Sequence, residues 1–203
     1  MQTLGKYTLH EKIGQGGFST VHRATDSQLG RTVALKLLDP LFLREPDFVQ
    51  RFRQEARTAA QLQHPHIVTI YEIVEAESQL AIAMQYVPGQ DLGKLLRTAG
   101  ALAPARALPL LQQVAAALDY AHTRSAVHRD LKPANILVEP ADAGDGERAI
   151  LTDFGLVKVL SASLAVSSAG RLIGSPEYMA PEQCDPNRSA EVGPASDRYA
   201  FGI

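Results

Sequence analysis

Residues 127–138 read VHRDLKPANILV, with apolar residues at both ends and polar residues between them. The apolar ends suit buried β-structure. Asp130 carries a carboxylate that could accept a proton from a hydroxyl attacking an electrophile. Lys132 could offset charge on a group in transfer, and the amide oxygen of Asn135 suits a hard cation such as Mg²⁺. The stretch is therefore a candidate site for proton and group transfer.

A second carboxylate stands at the end of a predicted strand. The run AILT, residues 149–152, is typical of a short strand, and Asp153-Phe154-Gly155 follows it directly. A carboxylate in this position is a plausible second ligand for the same cation. A lone Asp-Phe-Gly is common by chance, so an ordinary turn is the alternative.

A glycine-rich turn lies near the start of the chain. The stretch IGQGGFSTV, residues 13–21, places Gly14, Gly16 and Gly17 between two predicted strands. Glycines let a backbone approach a ligand closely, and exposed N–H groups in such a loop can hold phosphate oxygens. The alternative is an ordinary hairpin. A strand on both sides differs from the strand–helix setting of a dinucleotide site.

The stretch VALK, residues 33–36, places a lysine inside an apolar strand. Alternation puts Lys36 on the same face as Ala34, and a buried lysine is costly unless it is paired. Glu55, on the helix predicted next, would be a suitable partner. The alternatives are an edge strand that leaves the Lys36 amine in water and a solvated helix face for Glu55.

The rest of the chain predicts a β-rich part, a hinge at Pro88-Gly89 and a mainly helical part. Strands are expected at 7–14, 20–25, 31–39, 68–75, 80–87, 135–138 and 149–152. Helices are expected from Pro46 or Asp47 to His64, at 91–99, and from Pro104 to about His122. The first helix presents Phe48, Phe52, Ala56, Ala59 and Leu62 on one face, and the last presents Leu108, Leu111, Ala115, Leu118 and His122. From Asp153 onward the chain is expected to be loop-like.

Composition narrows the class of protein. The chain has 203 residues, 45% of them hydrophobic and 21% charged, with 20 Lys and Arg against 22 Asp and Glu. The near-neutral balance argues against a nucleic-acid partner. The single cysteine, Cys184, fits a reducing compartment. Neither a secretory signal nor a run of roughly 18 apolar residues is present. The chain stops in an apolar pattern at residues 199–203, so we expect a fragment.

The order of these motifs closely resembles eukaryotic-type protein kinases. GQGGFSTV, VALK, a helix glutamate, HRDLKPAN, DFG and SPEYMAPE follow one another at spacings that cover nearly the whole chain. The lysine after HRDL resembles the serine/threonine-specific branch, and RFRQEA and HPHIV resemble its bacterial members. The resemblance implies an α+β, two-lobed fold. A small antiparallel β-rich N-lobe with one helix, residues 1–87, would bind ATP, and residues 88–203 would form a mainly helical, incomplete C-lobe.

The resemblance also implies roles for particular residues. Asp130 would accept the hydroxyl proton and Lys132 would stabilise the γ-phosphoryl, while Lys36, held by Glu55, would contact the α- and β-phosphates. Asn135 and Asp153 would hold Mg²⁺. The residues implied to bind ATP are Ile13, Gly14, Gln15, Gly16, Gly17, Phe18, Val21, Ala34, Lys36, Met84, Gln85, Val87, Asp91, Asn135, Leu137 and Asp153. Among them Ile13, Val21, Ala34 and Leu137 would sandwich adenine.

Regulation by phosphorylation is a further implication. Residues 153–182 would form the activation segment, and Arg129 could pair with a phosphate on it. Ser167 and Ser168 are the best-placed acceptors, although solvated loop serines are the alternative. Ser175 is expected to bond Asp130 or Lys132. Asp197 resembles the aspartate that holds the HRD backbone in this family.

The predicted function is ATP- and Mg²⁺-dependent phosphoryl transfer to serine and threonine hydroxyls of proteins. The alternatives are a truncated, non-catalytic kinase-like scaffold and a small-molecule phosphotransferase, against which GSPEYMAPE argues. We expect protein substrates, no nucleic acid, and a homodimer for autophosphorylation. We expect a cytoplasmic location, or the cytoplasmic membrane face if the full-length protein is anchored. We expect the piece on its own to carry every chemical group for phosphoryl transfer but to fold poorly.

Overall fold

The computed structural model describes residues 2–140, 146–154 and 176–203, apart from the side chains of Asp47, Arg51, Glu55 and Pro186. The chain forms two units. The first runs up to Gln63 and resumes at Val68–Val87, and the second comprises His64–Ile67 and Pro88–Ile203.

The first unit is built on an antiparallel sheet of six strands. They are β1 (Thr3–Leu4), β2 (Tyr7–Gln15), β3 (Ser19–Asp26), β4 (Arg31–Leu38), β5 (Ile70–Ala76) and β6 (Gln79–Gln85). Their spatial order is β1-β2-β3-β4-β6-β5, so β4 lies in the interior of the sheet. Every residue of β4 from Val33 to Leu38 is buried, which explains why its sequence is apolar on both faces. The strands predicted in this part are confirmed; β1, with two residues, is too short to show a pattern.

One face of the sheet carries an apolar cluster. It consists of Leu4, Tyr7, Leu9, Ala24, Val33, Leu35, Leu37, Val74, Ala81 and Ala83. Because alternate residues of a strand point to opposite faces, Ala34 and Lys36 lie on the other face. The alternation of β4 therefore separates the apolar cluster from the face that carries the lysine.

Helix α1 (Pro46–Ala60) follows β4 after a 3₁₀ helix at Pro40–Arg44. The Asp39 carboxylate accepts a hydrogen bond from Leu41 N at 2.9 Å and so caps the 3₁₀ helix, which the sequence did not predict. Pro46 occupies the first turn of α1, where its missing N–H costs nothing. The predicted apolar face of α1 is confirmed: its members Phe48, Phe52, Ala56, Ala59 and Leu62 are all buried.

The second unit combines helices with a three-stranded antiparallel sheet. Its strands are β7 (Gln90–Asp91), β8 (Ile136–Glu139) and β9 (Arg148–Leu151), and its helices are α2 (Leu92–Ala99), α3 (Pro104–His122), α4 (Pro181–Cys184) and α5 (Pro194–Phe201). Short 3₁₀ helices occur at Pro133–Asn135, Pro176–Tyr178 and Pro186–Glu191. Among the described helices, none combines the length and apolar character that crossing a membrane requires.

The segment His64–Ile67 packs with the second unit, although the sequence placed it in the first part. Leu151 N donates to His66 O at 2.9 Å, and Ile67 forms a parallel bridge with Leu151. The imidazole of His66 also bonds Ala149 O at 3.0 Å. These contacts hold the segment against β9.

The predicted face of α3 was right only in part: Leu118 is buried, and Ala115 and His122 are half-buried. Leu108 and Leu111 are 57% and 40% exposed, whereas the buried residues of the helix are Leu110, Val114, Ala117, Leu118 and Ala121. Alanine and leucine occur all round this helix, so more than one set of positions satisfies a spacing of three and four. The prediction of a loop after Asp153 was also wrong for α4 and α5, which are short and begin at prolines.

Candidate active site

Three of the predicted residues meet in the loop before β8. Lys132 Nζ lies 2.9 Å from Asp130 Oδ2. Asn135 Nδ2 donates to the same Oδ2 at 3.0 Å and to the backbone carbonyl of Asp130 at 2.7 Å. The 3₁₀ turn at Pro133–Asn135 brings the amide back towards the carboxylate, so an ammonium group and an amide both contact one carboxylate oxygen of Asp130.

The buried side chain of His128 stabilises the loop that carries Asp130. His128 is fully buried; its Nε2 lies 2.9 Å from Thr152 O, and Asp130 N donates to its Nδ1 at 3.3 Å. Because a carbonyl only accepts, Nε2 carries the proton and Nδ1 is the acceptor. Burial lowers the pKa of His128, against the opposing effect of Asp197, which favours this neutral form. The imidazole therefore links the loop that carries Asp130 to Thr152, the residue that follows β9.

The carboxylate of Asp197, 1% exposed, holds the backbone of the same loop. Its Oδ2 accepts from His128 N at 2.7 Å and its Oδ1 accepts from Arg129 N at 2.7 Å. His122 Nε2 donates to Oδ2 at 2.8 Å. The expected role of Asp197 is confirmed, while the role of His122, placed by its sequence pattern on an apolar helix face, was missed. Arg129 has φ +64°, a region that non-glycine residues seldom adopt, and these bonds stabilise it there.

The two predicted metal ligands lie on segments that are hydrogen-bonded to each other. Thr152 N donates to Asn135 O at 3.0 Å, and Asp153 follows Thr152 with φ +62°. The hydrogen bonds of the Asn135 side chain to Asp130 both use Nδ2, which leaves the amide oxygen Oδ1 outside them. An amide oxygen and a carboxylate are hard oxygen donors, so this pair fits a Mg²⁺ ion.

The first unit arranges the predicted nucleotide contacts on one sheet face. Val21 lies opposite Lys36 in the register of β3 and β4, and Ala34 lies opposite Met84 in that of β4 and β6. Gly14 of β2 lies opposite Val21. Directly opposed residues in antiparallel strands share a face, so the five residues line one surface. Lys36 is 5% exposed on an interior strand, so the edge-strand alternative was wrong. The side chain of Glu55 lies outside the described atoms.

The glycine-rich turn between β2 and β3 is exposed, but its aromatic residue is not. Gly16 N donates to Ser19 O at 2.8 Å, and a side chain at Gly17 would meet no atom within 4 Å. Phe18 is 6% exposed, and its ring lies 4.8 Å from that of Phe42 and 5.6 Å from that of Phe48. Phe18 was predicted to contact ATP. Its ring packs instead into a cluster with Phe42 and Phe48, which the spacing of apolar residues in the sequence did not indicate.

The other predicted ATP contacts divide between the units. In the first unit Met84 and Val87 are buried and Gln85 N donates to Thr69 O at 2.8 Å, while Ile13 is 45% exposed. In the second unit Asp91 and Leu137 are paired residues of β7 and β8. The Asp91 carboxylate accepts from Lys94 N at 2.7 Å and caps helix α2, a role that the sequence did not predict. Gln15 is exposed at the end of β2.

Comparison with known proteins adds the deciding observation. The family model of the protein kinase domain matches residues 7–203, which is nearly the whole chain. The chain belongs to the protein kinase domain family. The two-lobed kinase fold expected from the motifs is thereby established, with a β-rich N-lobe in the first unit and helices in the second.

Curated relatives place this kinase chain among bacterial serine/threonine kinases. It is 39% identical over 204 residues to the serine/threonine-protein kinase PknA of Mycobacterium tuberculosis, covering 98% of this chain and 45% of PknA. It is 37% identical over 201 residues to PknB of Mycobacterium leprae, covering 97% of this chain and 31% of PknB. The chain thus spans about half the length of these relatives, or less.

Among solved structures, the kinase domain of Mycobacterium tuberculosis PknI is similar throughout. It aligns with a TM-score of 0.76 and 32% sequence identity, covering 100% of this chain and 73% of the PknI chain. The fold of the kinase chain is therefore similar to that of a known bacterial kinase domain.

The segment that follows SPEYMAPE contacts the loop of this kinase chain that carries Asp130. Gln183 Nε2 donates to Arg129 O at 2.8 Å, and Ala180 N donates to Gln183 Oε1 at 3.1 Å. Ser196 Oγ donates to Glu182 Oε1 at 2.5 Å, which lowers the pKa of that carboxyl group. In the described part of the chain, the buried Nε of Arg129 has no hydrogen-bond partner.

The predicted phosphorylation sites Ser167 and Ser168 lie outside the described residues, as do Ser175, Gly155 and residues 141–145 of the β8–β9 connection. Their roles in the kinase chain stay predictions.

Proposed function

We propose that this kinase chain transfers the γ-phosphoryl group of ATP to serine and threonine hydroxyls of proteins. The observation that carries the proposal is the loop in which Asp130 Oδ2 lies 2.9 Å from Lys132 Nζ and 3.0 Å from Asn135 Nδ2. The names of the relatives PknA and PknB, both serine/threonine-protein kinases, support the class of acceptor. Because the chain spans less than half of PknA, the substrates and partners of the whole protein are part of the proposal.

In this proposal Asp130 orients the substrate hydroxyl and accepts its proton as the oxygen attacks the γ-phosphorus. The bond from the γ-phosphorus to the bridging oxygen breaks, and ADP leaves with that oxygen. The Lys132 ammonium, held beside the carboxylate, offsets negative charge on the transferring oxygens. Backbone hydrogen bonds from His128 and Arg129 to Asp197 keep the loop rigid, so little reorganisation accompanies the transfer.

Asn135 and Asp153 are the proposed ligands of Mg²⁺, since both carry hard oxygen donors and their segments are joined by the bond from Thr152 N to Asn135 O. When bound, the ion neutralises negative charge on the phosphate oxygens. The chain's own contribution is to hold the two ligands: Asp130 fixes the amide of Asn135, and the hydrogen bond from Thr152 N to Asn135 O holds the residue that precedes Asp153.

The proposed nucleotide contacts of the first unit follow from its sheet face. Val21, Ala34 and Met84 offer an apolar surface for adenine, and the buried Lys36 offers a positive charge for the α- and β-phosphates, with Glu55 as its proposed partner. The exposed glycines of the β2–β3 turn offer backbone N–H groups to phosphate oxygens.

Regulation is proposed at Arg129. Its buried Nε, without a partner among the described residues, is suited to a phosphate group on Ser167 or Ser168, and a homodimer would permit such phosphorylation between copies. Because the reaction consumes ATP, we propose that it takes place in the cytoplasm.

The experiment that tests the function is transfer of radiolabelled phosphate from ATP to a generic protein substrate, followed by identification of the labelled amino acid. We expect label on serine or threonine only, dependence on Mg²⁺, and loss of label in Lys36→Met. A chain that binds ATP but labels no protein would reject the proposal and support the scaffold alternative.

A further inference from the structure

Gln183 lies on α4, just after the APE motif, where neither the sequence motifs nor the catalytic chemistry assigned it a role. Its side chain spans two segments of the second unit. Nε2 donates to Arg129 O at 2.8 Å and Oε1 accepts from Ala180 N at 3.1 Å. Only this orientation of the amide matches a donor to the carbonyl and an acceptor to the N–H. The side chain is therefore held at both ends.

The carbonyl that Gln183 contacts belongs to the peptide bond between Arg129 and Asp130. The N–H of the same peptide donates to His128 Nδ1 at 3.3 Å. The next N–H towards the N-terminus, that of Arg129, donates to Asp197 Oδ1 at 2.7 Å. Both polar groups of the peptide that precedes the proposed base are thus hydrogen-bonded to side chains, the N–H to the nearby His128 and the C=O to Gln183, which is distant in sequence.

This peptide needs such support because of the backbone on its N-terminal side. Arg129 has φ +64°, so the peptide plane is turned from the orientation that an L-residue ordinarily gives it. A rotation about this region would move the Asp130 side chain, and small displacements of a catalytic group are costly in rate. Asp197 restrains the N–H side of Arg129, while its C=O side is restrained by Gln183.

We propose that Gln183 is a positioning residue for the proposed base Asp130, and that it transmits the position of the SPEYMAPE segment to the catalytic loop. This inference rests on the proposed phosphoryl transfer. When α4 is in place, the amide of Gln183 holds the Arg129–Asp130 peptide; when α4 moves away, the carbonyl loses its donor. The SPEYMAPE segment and the carboxylate of Asp130 are therefore coupled through the side chain of Gln183.

The decisive variant is Gln183→Glu, which keeps the length and the acceptor for Ala180 N but replaces the donor by a carboxylate. Gln112→Glu, an exposed position on α3, makes the same change of charge as a matched control. We expect kcat to fall roughly tenfold in Gln183→Glu with the KM for ATP within about twofold. Gln112→Glu should keep both constants. Gln183→Met, which is of similar length and without polar groups, should lower kcat in the same direction.

A second readout does not depend on phosphoryl transfer. Amide hydrogen exchange of residues 128–131, measured without nucleotide, should be faster in Gln183→Glu and Gln183→Met than in the wild type, with α3 unchanged. If residues 128–131 exchange equally fast in the variants and in the wild type, the proposal is overturned. It is also overturned if exchange in the variants is faster throughout the second unit and kcat and KM change together. If the wild-type chain transfers no phosphate, the proposed function fails, and the exchange comparison still decides whether Gln183 holds the loop.

Discussion

Replacement of Asp197 by asparagine tests how strongly the catalytic loop is held. The buried carboxylate accepts two backbone hydrogen bonds, from His128 N and Arg129 N at 2.7 Å each, and one from His122 Nε2 at 2.8 Å. Asp197→Asn keeps the shape of the side chain but removes its charge and turns one acceptor into a donor. In either orientation, the new NH₂ group faces at least one of the three N–H donors.

The size of the effect follows from these contacts. One buried N–H left without an acceptor costs about 1–3 kcal/mol, and the remaining bonds lose the extra strength of a charged acceptor, about 1 kcal/mol. The variant should therefore lose roughly 2–4 kcal/mol of unfolding free energy. For chains of this length each kcal/mol corresponds to about 2–4 °C, which gives a fall in Tm of roughly 4–16 °C.

Thermal unfolding followed by circular dichroism measures this effect. Asp119→Asn, on the exposed face of α3, is the matched control. Its unfolding free energy should stay within roughly 0.5 kcal/mol of the wild-type value, as is typical of surface substitutions. If Asp197→Asn melts as close to the wild type as the control does, the hydrogen bonds of Asp197 do not stabilise the loop and the reasoning is refuted.

Three further predictions concern the aromatic cluster, the buried histidine and the metal ligand. Phe48→Ala should lower the unfolding free energy by about 3–5 kcal/mol, because the ring is 3% exposed and packs on Phe18 and Phe42. Leu41 is 73% exposed, so Leu41→Ala should change the unfolding free energy little. Equal losses for the two variants in urea denaturation would contradict this prediction. The pKa of His128 is lowered in the folded chain. Below about pH 6.5, His128 therefore binds a proton in the unfolded state but not in the folded state, and the stability of the folded state falls as the pH falls. The slope of Tm against pH below 6.5 should be shallower in His128→Gln than in the wild type, and an equal slope would refute the assignment. Asn135→Ala should raise the Mg²⁺ concentration needed for half-maximal phosphate transfer, and an unchanged Mg²⁺ dependence would remove Asn135 from the metal site.

What the sequence predicted well is what lies close together in sequence or has a clear period. The contacts of Asp130 with Lys132 and Asn135 lie within six residues, so one short loop contains the proposed chemical groups. Helix α1 is polar on its outer face, so its apolar stripe was unambiguous. Helix α3 is rich in alanine and leucine all round, and for it the same rule selected the exposed Leu108 and Leu111.

What the sequence could not predict depends on contacts between distant segments. The bonds from Gln183 to Arg129 and from His122 to Asp197 join residues 54 and 75 positions apart, and no local pattern marks either pair. Phe18 lies in a glycine-rich turn, a position suited to a ligand, yet its ring packs on Phe42 of a 3₁₀ helix that the sequence did not predict. Such pairings are decided by tertiary packing.

The central claim is that Asp130 accepts the proton of the attacking hydroxyl, and single-turnover kinetics test it most directly. The wild type and Asp130→Asn are each saturated with ATP and Mg²⁺ and mixed with a serine-containing peptide, with the corresponding alanine peptide as blank. The account predicts a rate of transfer about 10²–10⁴-fold lower in Asp130→Asn, with the Kd for ATP unchanged. Transfer by Asp130→Asn at the wild-type rate would contradict it.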